Sequence, residues 1–387
     1  MERHRALRLP CRIASWSIRD ETFVKQRNII ISDAYLDPHS HHTNFTDHDL
    51  SPRHTSRARR QDLHRHRRQL RHVSRSVSSG LEVQFANCNG HRGYYTVAHL
   101  AEHGAHVYMC ARNLKKGTDA IAEIKKLYPS AQIDLLQVDF MDLASVAAAA
   151  QHFLTLETAL HGLVNNAGIM ATPFEMTKDG HEAQWQTNYL AHWLFTDHLL
   201  PVMLKTSKTL PAGTVRIVNL TSSGHLGAPK NGINFEDLTL KDASVWARYG
   251  QSKLANILHT HSLHTKHGPS SSSSLNKDGE IWISCVHPGL VDTNLADGVG
   301  GSGWGMTSVL SALKMMGMMY PADKGSYSSL FCVASQDMKT EDCGGYFEIF
   351  GRCGEPKWLS GPAKDAELAG KLEEHTKEMM RKEGWIQ

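Results

Sequence analysis

The stretch "RIVNLTSSGH", residues 216–225, decides how this chain folds. Its first half is apolar enough for a strand buried in a sheet. Its second half turns to hydroxyls at Thr221, Ser222 and Ser223, so such a strand delivers polar side chains to one edge of the sheet. Comparable segments flank it: "AHVYMCA" (105–111), "AQIDLLQVD" (131–139), "HGLVNN" (161–166) and "IWISCVH" (281–287). Helical patterns fill the intervals over 94–103, 114–127, 141–156, 181–206 and 244–266. Strands alternating with helices predict a parallel sheet covered on both faces. This is an α/β, doubly wound (Rossmann) fold, whose ligands sit at the carboxyl ends of the strands.

Composition divides the 387 residues unevenly. Nine arginines and no lysine lie between residues 51 and 75, and ten of the 25 histidines fall in the first 92 residues. Residues 1–78 show no sustained period apart from a short apolar run at Ile29–Ile31, and their polar composition predicts disorder. The domain is therefore expected over 79–387, with "LEVQF" (81–85) as its first strand and "GPSSSSSLNKDGE" (268–280) as a surface loop. The basic extension lacks aromatic interleaving and a reading helix, so it offers nucleic acid only unspecific phosphate contact. Its "HSHHTNFTDHD" cluster reads as low-complexity histidine rather than a metal site. Seven dispersed cysteines (Cys11, Cys88, Cys110, Cys285, Cys332, Cys343, Cys353) argue against a disulfide framework and a zinc site. No apolar run reaches spanning length, and the start has no secretory h-region. A reducing compartment, the cytoplasm, is the expected location; an Arg-rich start makes mitochondrial import the lesser alternative.

Chemistry gathers at three strand ends. "YGQSK" (249–253) places Tyr249 and Lys253 one helical turn apart, on the same face. A tyrosine with its ordinary pKa of about 10 is a poor acid–base catalyst at neutral pH, and an ammonium one turn away favours the phenolate. An ordinary amphipathic helix produces the same spacing, so the pair alone decides nothing. Ser222 at its strand end suits a hydrogen bond to a substrate oxygen, although serines also fill turns and caps. "LVNNAG" (163–168) and "VHPGLVDT" (286–293) end two further strands. All of these breaks fall where the topology puts a ligand.

In their order, "NNAG", "TSS", "YGQSK" and "HPGLVDT" resemble the short-chain dehydrogenase/reductase family over residues 93 to about 352. "INFEDLTL" (233–240), "GHEAQWQTNYLAHWLFT" (180–196) and "GGYFEIFGR" (344–352) resemble its retinol-dehydrogenase-like and WW-domain-oxidoreductase-like branch. The resemblance implies hydride transfer between a nicotinamide cofactor and an alcohol or carbonyl on an apolar substrate. Tyr249 is then the acid–base, Lys253 tunes it and holds the ribose, Ser222 contacts the substrate oxygen, and Asn188 organises a proton-relay water. Asn166, Ala167 and Gly168 line the cofactor, Asp139 meets the adenine, and Pro288, Gly289, Val291 and Thr293 border the nicotinamide. Self-association into dimers or tetramers through the 181–206 and 244–266 helices is implied as well.

Cofactor choice has local physics. In Rossmann sites an acid after the second strand holds the ribose 2′-hydroxyl. Here that strand ends in Ala111 and Arg112, and a guanidinium suits a 2′-phosphate. NADP(H) is expected over NAD(H). The family's turn, T-G-x-x-x-G-x-G, fits poorly. With Gly93 as its last glycine, Asn87 and His91 take the other glycine positions and Ala86 the threonine. Imidazole there crowds a diphosphate. The alternative function is thus a catalytically impaired binding protein. An arginine- and histidine-rich stretch before Gly93 is also what a misread frame or retained intron produces, and on that reading residues 1 to about 92 are foreign to the domain. "MTSVLSALKMMGMMYP" (306–321) falls where the family it resembles places a variable substrate lid, and is the stretch that could rest on a membrane surface.

Overall fold

The computed structural model describes residues 27–32, 92–269, 279–289, 322–348 and 359–387. Seven parallel strands form one sheet in the order β3-β2-β1-β4-β5-β6-β7. They are β1 (Asn28–Ser32), β2 (His106–Ala111), β3 (Gln132–Gln137), β4 (Gly162–Asn165), β5 (Arg216–Leu220), β6 (Trp282–His287) and β7 (Tyr346–Glu348). The helices are α1 (Arg92–Glu102), α2 (Leu114–Leu127), α3 (Leu143–Leu156), α4 (Ala191–Ser207), α5 (Val245–His267), α6 (Tyr327–Ala334) and α7 (Ala366–Lys382). A short helical turn, Ala183–Trp185, and a π turn, Gln186–Leu190, lead into α4. The predicted doubly wound architecture is the one observed.

The first strand is not where the sequence reading put it. Asn28–Ser32 pairs with β2 on one side and β4 on the other, aligning Ile30 with Tyr108 and Leu163. Part of the expected extension is therefore the centre of the sheet, and the domain does not begin at residue 79. The physical reason lies in three isoleucines, each no more than 1% exposed. Successive side chains of a strand point to opposite faces. Ile30 packs into the core shared with Leu163, Phe153 and Leu254, whereas Ile29 and Ile31 pack into the opposite core with Val97, Val107 and Val333. Only a strand covered on both faces has use for such a run. "LEVQF" lies outside the described residues, as do most of the 268–280 insert and the whole of 306–321.

Local signals end the helices where expected. Asn113 caps α2 by accepting from the Lys116 amide, Asp142 caps α3 through Ala144 and Ser145, and Ser244 caps α5 through Ala247. Helix α7 lies on α5 and on the helix carrying Tyr189 and Trp193. Ser262 donates to the Ala369 carbonyl (3.0 Å), Lys266 and Trp193 both donate to the Glu373 carboxylate (2.9 Å each), and the Tyr189 hydroxyl meets Thr376 (2.8 Å). The chain thus covers part of these two helices with its own C-terminal helix.

Removing the buried isobutyl-sized side chain at the sheet centre gives a direct check on β1. Ile30→Ala is expected to destabilise the domain by about 2–5 kcal/mol in urea unfolding. An unchanged midpoint would place residues 28–32 outside the cooperative unit.

Candidate active site

The order reversal in the sheet lies between β1 and β4, which connect to opposite sides, and the crevice beyond their carboxyl ends is the binding position of such folds. Ser32 closes β1 there. Its buried Oγ accepts from the backbone amides of Asn166 (2.8 Å) and Ala167 (3.2 Å), and it lies 3.0 Å from His192 Nε2 and 3.2 Å from the Val164 carbonyl. A side chain that sequence reading left in the extension thus holds the loop after β4. The signal was available, since Ser32 directly follows the isoleucine run.

The two adjacent asparagines of that loop divide their work. Asn165 is 1% exposed and bridges Thr196 (2.9 Å) and Asn219 Oδ1 (2.8 Å), tying β4 to β5 and α4. Asn166 is only partly buried and sits at the crevice with Ala167 and Gly168. A Cβ on Gly168 would fall 3.1 Å from Asn188 Oδ1 and 3.2 Å from Lys253 Nζ, so the loop, the π turn and α5 converge on this glycine.

Asn188 sits in the π turn, a helical irregularity often found at functional sites. Its side chain accepts from the Ile169 amide (2.8 Å) and donates to the Ile169 carbonyl (3.0 Å) and to Ser252 Oγ (2.8 Å). Ser252 in turn donates to the Tyr249 carbonyl (2.8 Å). Lys253 Nζ donates to the Leu220 carbonyl at 3.2 Å and stands 6.0 Å from the centre of the Tyr249 ring. Tyr249 and Lys253 are 4% and 5% exposed. Ser222 Oγ accepts from the Gly224 amide at 3.0 Å. A Cβ on Gly224 would lie 2.5 Å from Tyr249 Cε1 and 3.4 Å from Ser222 Oγ, so the missing side chain admits the ring beside the serine. Ser222 and Tyr249 thus meet at Gly224, Asn188 and Lys253 meet at Gly168, and Tyr249 and Lys253 share α5. His225, buried completely, steadies the serine: its Nδ1 donates to the Ser222 carbonyl (2.8 Å), and its Nε2 accepts from the Ser360 amide (3.3 Å).

The cofactor-side residues are placed less uniformly. Arg112 is exposed just beyond β2, and Lys115 pairs with Asp119 (2.7 Å) along its own helix. Asp139 is half-buried, and its carboxylate accepts from the Met141 amide at 3.0 Å. Gly93 is buried in the first turn of α1. Pro288 and Gly289 follow β6, with Gly289 at a φ of 82°, while Val291 and Thr293 lie outside the described residues. Clefts of about 530 Å³ (around Lys205, Lys208 and Gly279) and 270 Å³ (around Trp193, His259 and Glu373) are lined by none of the expected site residues.

The nicotinamide and ribose end of a dinucleotide fits these residues: a glycine lets a ligand approach a lysine amine and an asparagine, and a serine–tyrosine pair stands beside them. The diphosphate end fits poorly. Ser32 is followed by Asp33 and Ala34, and residues 33–79 contain no glycine.

This fold, with its crevice beyond the carboxyl ends of the strands, is of the class that binds dinucleotides. Comparison with known proteins agrees. The short chain dehydrogenase family profile matches residues 91–235. The short-chain dehydrogenase/reductase drtF of Aspergillus calidoustus is 48% identical over 75% of this chain and 90% of its own length. Mouse retinol dehydrogenase 12 is 33% identical over 76% of this chain and 84% of its own. A crystal structure of a protein from Mycobacterium paratuberculosis superposes with a TM-score of 0.58 at 25% identity, covering 95% of this chain and 97% of that one. The chain belongs to the short-chain dehydrogenase/reductase family, which includes retinol-dehydrogenase-like members, and is an oxidoreductase of that family.

Burial also shapes the pH response. His192 is held down to about 3 chiefly by desolvation, with Lys253 and His259 adding positive charge nearby. His161, His261 and His264 are lowered for the same first reason. Below the ordinary histidine value of 6.5 the unfolded chain binds a proton that folded His192 refuses, so stability is full above that pH and falls on acidification. By pH 5 this one residue costs about 2 kcal/mol. Glu182 and Asp197, raised by burial, act in the opposite sense, so the readout is the comparison: between pH 7 and pH 5 wild type is expected to lose about 2 kcal/mol more unfolding free energy than His192→Gln, which cannot titrate.

Proposed function

We propose that this chain is an NADP(H)-dependent oxidoreductase that interconverts a primary or secondary alcohol and its carbonyl on a small apolar substrate. The observation that carries the reading is the convergence of Ser222 and Tyr249 across Gly224, with Asn188 and Lys253 across Gly168. Bound nicotinamide supplies or accepts the hydride. In the reducing direction the Tyr249 hydroxyl gives its proton to the substrate oxygen, and in the oxidising direction it takes that proton back. Ser222 accepts from Gly224, which leaves its own hydroxyl proton for the same oxygen. Lys253, anchored on the Leu220 carbonyl, places positive charge near the phenol and N–H donors toward the ribose. Asn188 is a clamp through its side chain, fixing the loop after β4 against α5.

NADP(H) is favoured by Ala111, buried where an acid would hold a ribose hydroxyl, and by the exposed Arg112 after it. The name of the mouse relative, a retinol dehydrogenase, speaks for an apolar alcohol. Among the described residues no helix is long and apolar enough to cross a membrane, and the cytoplasm is the proposed location. A homodimer or tetramer through α4 and α5 would have to form beside α7, which already lies on them.

A second reading rests on the diphosphate side. Ser32 makes the contacts expected of a residue at the end of the first strand, yet α1 begins only at Arg92. On the misread-frame reading, residues 28–32 therefore belong to the domain and are not part of the foreign stretch. If the interval between β1 and α1 cannot cradle a diphosphate, the chain is an impaired family member that binds ligand without turnover.

NADPH titration of the full chain by nucleotide fluorescence, with NADH in parallel, separates the two. Saturable binding that prefers NADPH is expected, and absence of binding by a folded protein would establish the second reading. Tyr249→Phe should keep NADPH affinity while kcat falls by at least about a hundredfold. Arg112→Ala should weaken NADPH binding about tenfold, the equivalent of about 1.4 kcal/mol, and leave NADH unchanged; equal loss for both nucleotides would remove Arg112 from phosphate recognition.

A further inference from the structure

His192 lies one turn beyond Asn188, is 2% exposed and is packed against Phe140 at a ring separation of 5.0 Å. Its two ring nitrogens face different elements. Nδ1 is 3.0 Å from the main-chain carbonyl of Asn188, and Nε2 is 3.0 Å from Ser32 Oγ. A carbonyl only accepts, so Nδ1 carries the hydrogen. A doubly protonated ring is disfavoured by complete burial and by the neighbouring Lys253 ammonium. Nε2 is then a lone pair, and it needs a donor.

Ser32 has one proton and two lone pairs. The lone pairs receive the amides of Asn166 and Ala167. The proton has two possible acceptors, His192 Nε2 at 3.0 Å and the Val164 carbonyl at 3.2 Å. Choosing Val164 would leave a buried imidazole nitrogen against an oxygen with no hydrogen between them, so the nitrogen would bear the full desolvation penalty of an unsatisfied buried acceptor. Reversing the tautomer would set Nδ1 and the Asn188 oxygen lone pair against lone pair. One assignment satisfies every group: the Ser32 hydroxyl donates to Nε2, and Nδ1 donates to Asn188.

We propose that His192 is a positioning residue which, as the neutral Nδ1–H tautomer, locks the Ser32 hydroxyl and the Asn188 carbonyl into one chain of hydrogen bonds and so fixes the Asn166–Ala167 loop against the turn bearing Asn188. The consequence follows from Gly168, the next residue of that loop, where Asn188 and Lys253 converge. A loop released from Ser32 shifts against both groups. The effect falls on nucleotide binding more than on proton transfer, because Tyr249 and Ser222 are held by other elements. For turnover this inference rests on the oxidoreductase reading above; the hydrogen-bond chain itself does not.

The test uses the full chain without nucleotide first. In histidine-labelled protein the His192 ring should show a protonated Nδ1 and an unprotonated Nε2 throughout pH 5–8, and Ser32→Ala should move the Nε2 signal. Amide hydrogen exchange at Asn166 and Ala167 should speed up at least tenfold in His192→Phe, and be largely restored in His192→Gln, whose amide can both donate and accept. In NADPH titrations and turnover, His192→Phe should raise Kd and KM about tenfold with a smaller change in kcat, and His192→Gln should recover most of it. An Nε2–H ring, titration near the ordinary histidine value, or equal exchange in the Phe and Gln variants would overturn the proposal. Failure of wild-type protein to bind NADPH would sink the NADP(H) reading alone, since the ring and exchange signals still decide the role of His192.

Discussion

Three consecutive isoleucines govern this structure, because successive side chains of a strand point to opposite faces and Ile29, Ile30 and Ile31 are together buried only where both faces are covered. Burying a strand on both faces requires helices above and below, and strands on each side to satisfy its backbone. Pairing with β2 and β4 meets the second need, and the two apolar cores meet the first. Once β1 is fixed, the sheet order reverses beside it, and the end of β1 becomes one wall of the binding crevice. The position of Ser32, and through it the loop Asn166–Ala167, is a consequence of where three apolar side chains must go.

The candidate catalytic residues meet at two glycines. At Gly224 an added Cβ would fall 2.5 Å from the Tyr249 ring, and at Gly168 it would press on Asn188 and Lys253 at 3.1 and 3.2 Å. The polar side chains around them are almost wholly committed to backbone partners. Asn188 clamps Ile169, Lys253 reaches Leu220, Ser222 caps Gly224 and His225 holds the Ser222 carbonyl. Such commitments hold side chains in position before any ligand arrives, which is what electrostatic and proton-transfer catalysis needs.

Most of this was legible in the residues because it is local. Strands β2 to β6 end in runs of apolar residues followed by polar ones, and α2 extends over the 114–127 predicted from its apolar spacing. Tyr249 and Lys253 share a face because a helix repeats every 3.6 residues. What escaped reading is long-range. A five-residue run buried on both faces has no alternation to reveal it, and its partners His106–Cys110 and Gly162–Asn165 lie far along the chain. The different fates of Asn165 and Asn166, the burial of His192 and the covering of α5 by α7 likewise depend on elements brought together only by folding. The lid expected over 306–321 and the nicotinamide contacts expected of Val291 and Thr293 lie outside the described residues.

The interval between β1 and α1 shows why fold and function can part company in one chain. Lengthening a connection is thermodynamically mild, because closure entropy grows only with the logarithm of length. Going from the six positions between threonine and last glycine in the family's turn to residues 33–92 is about a tenfold increase, which costs about 2 kcal/mol. A domain with two extensive cores can absorb that, so β1 still finds its place between β2 and β4. A diphosphate cradle cannot absorb it in the same way, since its affinity comes from several backbone amides held at one short distance by a tight glycine turn. A connection of this length is therefore tolerable to the sheet, whereas an anion site depends on amides gathered within a few residues. Ser222 after β5, Tyr249 and Lys253 in the first turns of α5 and Asn188 in the π turn are brought together by elements that do not include the glycine turn.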